Sequence, residues 1–136
     1  MQKITLSIDN NICNISLLNQ CLQVLLQQTP LSQLNQQTML LAAMEAVNNS
    51  LQHAYALDTS LNSSISMQVH FYPERLELHL YDNGMAFDVN LLDNQDIEPD
   101  PLAENGRGLF IIQQSLDKLT YWREQDVNHW CLLKYY

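Results

Sequence analysis

Basic residues are scarce in this chain: six Lys and Arg stand against fifteen Asp and Glu in 136 residues, a net charge of −9. Lys3, Arg75, Arg107, Lys118, Arg123 and Lys134 are scattered along the sequence and form no patch. That argues against direct nucleic-acid binding, which needs clustered cations along a phosphate backbone. The same acidity suits a basic protein partner. Long apolar runs are missing too. No stretch approaches the roughly 20 apolar residues of a membrane span, and the first residues show no charged leader with an apolar block. A soluble cytoplasmic protein is the expectation. Cysteine is sparse and odd in number: Cys13, Cys21 and Cys131 lack metal-ligand spacing, and His53, His70, His79 and His129 add no paired-ligand pattern. Core thiols in a reducing compartment are expected.

What is present is a globular composition, 46% hydrophobic and only 15% charged, with Gln and Asn in place of many surface charges. The length matches one domain spanning 1–136. Residues 3–8 alternate Ile4, Leu6 and Ile8 against Lys3, Thr5 and Ser7, a half-buried strand. A helix is expected from about Ile15 to Gln28, with Leu17, Cys21, Val24, Leu25, Leu18 and Leu22 on a broad apolar face. Thr29-Pro30 ends it, because the residue before proline avoids the helical region. Ser32 is placed to cap a long second helix reaching Tyr55, with Leu40, Met44, Val47, Leu51 and Tyr55 as its apolar stripe. Two β runs follow, Ile65 to Tyr72 and Leu76 to Tyr81, turning at Pro73-Glu74 as an antiparallel hairpin. From Asn83 to Asn105 the periodicity collapses into an acidic stretch without Lys or Arg, a length that marks a lid or binding loop. A helix from Gly108 to Lys118 and strands near Thr120–Glu124 and His129–Tyr135, with a turn at Asp126-Val127-Asn128, complete the chain. This order predicts an α+β fold: a two-layer α/β sandwich with a mostly antiparallel mixed sheet and helices on one face.

Three places can carry chemistry. On the second helix Glu45, Asn49 and His53 fall opposite the apolar stripe, an acid stacked one turn from an amide. Taken alone, that face reads as solvated. Asp82 ends the hairpin on the face of Leu78 and Leu80, so it points into the core and needs hydrogen-bond partners. Gly84, two residues on, lets the backbone turn tightly and approach a ligand. Gly106-Arg107-Gly108 opens a helix, where free backbone N–H groups attract an anion and Arg107 can reach a phosphate.

Taken in order, Glu45-x-x-x-Asn49, Asp82-x-Gly84 and Gly106-x-Gly108 resemble the N, G1 and G2 boxes of the Bergerat-fold (GHKL) ATP-binding superfamily. The longer wordings narrow the match. Glu45-Ala46-Val47-x-Asn49-x-x-x-His53-Ala54-Tyr55, Asp82-x-Gly84-x-x-Phe87-Asp88 and Glu104-Asn105-Gly106-Arg107-Gly108-Leu109-Phe110-Ile111-Ile112 resemble the anti-sigma-factor serine/threonine kinases.

The resemblance implies a role for each residue. Asp82 accepts a hydrogen bond from the adenine amine, and Asn49 gives an amide oxygen to Mg²⁺. Glu45 takes the proton of an incoming serine hydroxyl. Gly106, Arg107 and Gly108 cradle the phosphates, and the acidic run of about 85–105 becomes the ATP lid. His53, far along the helix from Glu45, is structural. The implied activity is Mg²⁺-ATP-dependent phosphorylation of a STAS-domain antagonist in a partner-switching system. A sigma factor or other output protein is a further partner, and a homodimer is the expected assembly. The competing reading is a non-catalytic ATP-binding module that regulates a partner by nucleotide-dependent binding. Two departures stand out. Asn128-His129-Trp130-Cys131 occupies the region where related ATPases carry an adenine-supporting glycine and threonine, and the first helix has no basic residue for gripping a partner.

Overall fold

Strand alternation and two capped helices set the architecture. A computed structural model describes residues 1–9, 11–51, 64–88 and 107–136. The elements run β1 (Gln2–Asp9), α1 (Ile12–Leu26), α2 (Gln33–Asn49), β2 (Ser64–Phe71), β3 (Arg75–Asp82), α3 (Arg107–Ser115), β4 (Lys118–Glu124) and β5 (Val127–Tyr135). The five strands form one sheet in the order β1-β2-β3-β5-β4. Every pairing is antiparallel, so among the described strands the sheet is not mixed as expected. The layers are those of an α+β sandwich.

One sheet face is the core. Ile65, Met67 and Val69 from β2 and Leu76, Leu78 and Leu80 from β3 are essentially fully buried, packed with Leu18, Leu22 and Leu26 of α1 and Met39, Ala42, Ala43 and Val47 of α2. Each large aliphatic side chain contributes about 1.5–3 kcal/mol on burial. None of the described helices is long and apolar enough to cross a membrane.

Caps explain where the helices begin. The Asn11 side chain accepts from Cys13 N at 3.0 Å, so α1 starts at Ile12 rather than Ile15. Ser32 Oγ accepts from Asn35 N at 3.2 Å, as its position suggested. The buried rows differ from those expected. On α1 the i, i+4, i+8 series Leu18, Leu22, Leu26 faces inward, while Leu17 and Val24 are more than half exposed and Cys21 lies outside. Cys13 is exposed as well, so two of the three thiols are not core residues. On α2 the deepest positions belong to Met39 and the small Ala42, Ala43 and Ala46 beside Val47. Small residues let α2 approach its neighbours closely, and the expected stripe joins them: Val47 and Met44 are buried, and Leu40 and Leu51 pack against the core from its edge.

The last hairpin turns one position earlier than expected. Gln125 and Asp126 both take positive φ (50° and 62°), the backbone that a two-residue hairpin loop requires. Val127 and Asn128 therefore belong to β5, and Asn128 pairs with Asp82 across β3. The third helix stops at Ser115, and Lys118 and Leu119 enter β4 instead.

The outer sheet face departs from expectation more sharply. His70 of β2, His79 of β3 and His129 of β5 meet there, with ring centroids 4.3 Å and 5.3 Å apart in succession. A pattern absent from the spacing is thus assembled by strand register. Burial, with the His79 and His70 rings nearby, pushes His129 down to about 4, and burial pushes the Cys131 thiol up to about 11. Burial works against the Glu77 carboxylate, but hydrogen bonds from Arg75 and His79 outweigh it and hold the group below its ordinary range.

Candidate functional site

The site is built where the end of β3 meets the end of α2. Period-two alternation carries Asp82 to the inner face behind Leu80, and its side chain is buried, only 3% of the residue being exposed. A carboxylate there needs partners, and the protein supplies three. Oδ1 accepts from Gly84 N at 3.0 Å and from Asn128 Nδ2 at 2.7 Å, and Oδ2 accepts from Ser50 Oγ at 2.8 Å. The expectation that buried Asp82 needs partners holds, and Ser50, Gly84 and Asn128 supply them within the chain. A carboxylate oxygen accepts about two hydrogen bonds. Among the described residues Oδ2 takes only the Ser50 bond, which leaves it room for one more donor.

Asn128 is the hub. Its Nδ2 also donates to Met85 O at 2.7 Å, while its Oδ1 accepts from Tyr121 OH at 2.6 Å and from Arg123 Nη1 at 2.8 Å. Arg123 donates a second bond to Gly84 O at 2.8 Å, and Tyr121 OH accepts from Phe87 N at 3.0 Å. The segment after Asp82 is thereby pinned to β4 and β5, and the Arg123 charge is relayed toward Asp82 through a polarised amide. Neither Ser50 nor Asn128 was selected from sequence. Asn128 follows from register, lying directly opposite Asp82, a pairing visible only once the hairpin turn is placed correctly, whereas Ser50 is brought in by the packing of the end of α2 against β3.

Replacing Asn128 with alanine strips Asp82 of a short charge-assisted bond and orphans the groups around it. The expected loss is about 2–4 kcal/mol of folding stability in urea denaturation. A loss below about 0.5 kcal/mol, the scale of ordinary surface changes, contradicts the hub role.

Above these groups a cavity of about 30 Å³ opens to solvent, lined by Asn49, Ser50, Asp82, Phe87, Asn128 and Trp130 among others. Its apolar wall is aromatic: Phe87 meets Trp130 edge-on at 4.7 Å between centroids, and Tyr121 lies 4.7 Å from Trp130. Asn49 reaches this cavity from α2, and Glu45 lies one turn earlier on the same helix, half-buried.

Glu45 faces the start of α3. A Cβ added to Gly108 would lie 2.6 Å from Glu45 Oε2, closer than real contacts allow. Gly108 therefore admits the carboxylate against the helix backbone, where the dipole favours negative charge. Arg107 begins α3, but its side chain lies outside the described residues, as do Gly106, His53, Tyr55 and the lid from 89 onward. The structure thus joins Glu45 to Gly108, and brings Asn49 and Asp82 to one cavity, with Gly84 hydrogen-bonded to Asp82. The residues present fit a bound nucleotide on three counts: an available acceptor on buried Asp82, aromatic side chains lining the cavity, and a glycine without a side chain at the start of α3.

Residues 9–134 match the family described as the histidine kinase-like ATPase domain. The chain is similar to the serine-protein kinase RsbW of Listeria innocua, 30% identical over 95 residues, which is 65% of this chain and 59% of that protein. It is similar to RsbW of Bacillus cereus, 33% identical over 96 residues, 66% of this chain and 58% of that one. RsbW of Staphylococcus epidermidis is 30% identical over 96 residues, with 65% and 58% covered. The chain therefore spans under two thirds of the length of these curated relatives. Its fold is shared with the crystal structure of the RsbU and RsbW domains of a Mycobacterium tuberculosis protein, at a TM-score of 0.70 and 14% identity, covering 98% of this chain and 32% of that one.

Proposed function

Because the chain belongs to the histidine kinase-like ATPase domain family, we propose that it is a Mg²⁺-ATP-dependent serine/threonine protein kinase of the partner-switching type. Its substrate is a serine of a STAS-domain antagonist, and its output is restraint of a sigma factor or an equivalent protein by a homodimer. The observation that carries this reading is the contact between Glu45 and Gly108. A carboxylate able to take a proton is held against the helix start whose bare backbone suits phosphate. The similarity to serine-protein kinases points to the same chemistry.

Each residue then has a task. Asp82 receives the adenine amine at the acceptor position left on Oδ2, and Phe87 and Trp130, in contact with each other, line one side of the pocket for the base. Asn49 offers its amide oxygen to Mg²⁺, an ion that favours few protein ligands. Gly106, Arg107 and Gly108 hold the phosphates. Bound Mg²⁺-ATP supplies the phosphoryl group and the neutralising charge around it. Glu45 accepts the proton as the serine oxygen attacks, a contribution typically worth about 10²–10⁴ in rate.

The direct test is incubation with γ-labelled ATP and a STAS-domain protein from the same organism, with label expected on one serine of that protein. Nucleotide binding without any labelling of that protein would instead establish a non-catalytic module. A second test uses Gly108→Ala. The atom in the way is the tip of a flexible side chain, so the helix tolerates the methyl group and gains about 0.5–1 kcal/mol of propensity. Glu45 must swing away, and phosphotransfer should fall at least about tenfold, since small misplacements of a reacting group cost up to about 10²-fold. Wild-type phosphotransfer by a folded Gly108→Ala protein would separate Glu45 from the reaction.

A further inference from the structure

The outer face of the sheet, opposite the proposed nucleotide pocket, gathers ligands that phosphotransfer does not use. We propose that His70, Glu77 and His79 form a binding site there for a transition-metal ion of the zinc class. One donor atom from each lies within 4.8 Å of the others. A tetrahedral zinc site with N and O ligands at about 2.0–2.2 Å has donor–donor edges of about 3.3 Å. Glu77 Oε2 and His79 Nε2, 3.0 Å apart, already approach that spacing. His70 sits directly across from Glu77 in the β2–β3 register, so only side-chain rotation is needed to bring its ring in. Side-chain exposures of 12% and 13% for Glu77 and His79 give the ion partial shelter from water.

The surroundings orient these groups as metal ligands are usually oriented. Arg75 Nε donates to Glu77 Oε1 at 2.7 Å, which leaves Oε2 for the ion. His79 Nε2 donates to Glu77 Oε2 in the metal-free chain; an ion would take the place of that proton, with the proton on Nδ1 then donated to His129 Nε2, 3.0 Å away. Gln68 Oε1, 3.1 Å from His70 Nε2, accepts that ring's proton and leaves Nδ1 as the donor to the ion.

Cys131 Sγ lies 3.8 Å from the same His79 nitrogen. The N–S edge of a tetrahedral zinc site is about 3.6 Å. Cys131 stands outside the group of three whose donor atoms lie within 4.8 Å of one another, so it becomes the fourth ligand by side-chain rotation, releasing its thiol proton to solvent on binding. A mixed N, O and S set suits zinc, cobalt or copper and does not suit Mg²⁺. The ion ties β2, β3 and β5 together and thereby favours the folded chain.

The test uses the full chain stripped with EDTA, titrated with Zn²⁺ by calorimetry and with Co²⁺ by absorbance. One equivalent should bind in the absence of nucleotide, raise the melting temperature, and give the visible bands of tetrahedral Co²⁺. His79→Gln and His70→Gln should each weaken binding at least about tenfold, the loss that even outer-shell partners produce. Equal melting temperatures in EDTA show that these variants fold, and Glu77→Gln serves as a third probe if either does not. A thiolate charge-transfer band that disappears in Cys131→Ser supports the fourth ligand, and absence of that band in the wild type overturns it. No equivalent bound overturns the site, and so does undiminished binding by His79→Gln, which places the ion elsewhere. Neither result depends on kinase activity.

Discussion

Asp82→Asn is expected to weaken nucleotide binding by about two orders of magnitude while leaving the protein folded. The reason lies in how the new amide must orient. Gly84 N and the Asn128 amide both donate to Oδ1, so the oxygen of the substituted side chain has to stay there. Its NH₂ group then takes the place of Oδ2. Ser50 can rotate its hydroxyl and accept from it, so the fold loses only part of a charge-assisted interaction, about 1–2 kcal/mol. The adenine amine has no such freedom and would meet a donor where it needs an acceptor. Titration calorimetry with a non-hydrolysable ATP analogue reads the affinity, and urea denaturation reads the fold. Near wild-type affinity in a folded Asp82→Asn protein would remove Asp82 from the adenine pocket.

Glu45→Gln separates binding from chemistry. The amide keeps the size of the carboxylate, so its packing against the bare Gly108 backbone persists, unlike the displacement forced by Gly108→Ala. A carboxamide cannot take a proton from a serine hydroxyl near neutral pH. Single-turnover phosphotransfer should fall about 10²–10⁴-fold, with nucleotide affinity within about tenfold of wild type. Transfer at the normal rate would show that another group is the base. Loss of both binding and transfer would assign Glu45 to nucleotide binding instead.

These expectations rest on features of different legibility. The inward direction of Asp82 could be read directly, because a strand with Leu76, Leu78 and Leu80 on one face puts position 82 on that face too. The capping role of Ser32 was equally local. The chain's three glycines all fall within the Asp82-x-Gly84 and Gly106-x-Gly108 motifs, which is why those motifs stood out in a sequence otherwise without glycine. The buried stripe of α2 was harder. Beside Met39 and Val47 its deepest residues are alanines, whose burial is decided by how closely neighbouring elements approach rather than by their own hydrophobicity.

The sequence by itself determined the α+β alternation, the inner face of the hairpin and the motifs that single out Glu45, Asn49, Asp82, Gly84, Gly106, Arg107 and Gly108. Those features depend on periodicity and on residue chemistry within a few positions. Only the tertiary structure decided that Asn128 and Ser50 hold Asp82, that Gly108 admits Glu45, and that three histidines converge on the outer face. Each of those contacts joins residues 32 to 63 positions apart or, for the histidines, separate strands whose alignment depends on register. A one-residue change in the β4–β5 turn would reverse every side chain of β5 and remove Asn128 from the site. Such a pairing has no local signature, because hydrogen bonds across a sheet are chosen by the whole set of strands that must pack together.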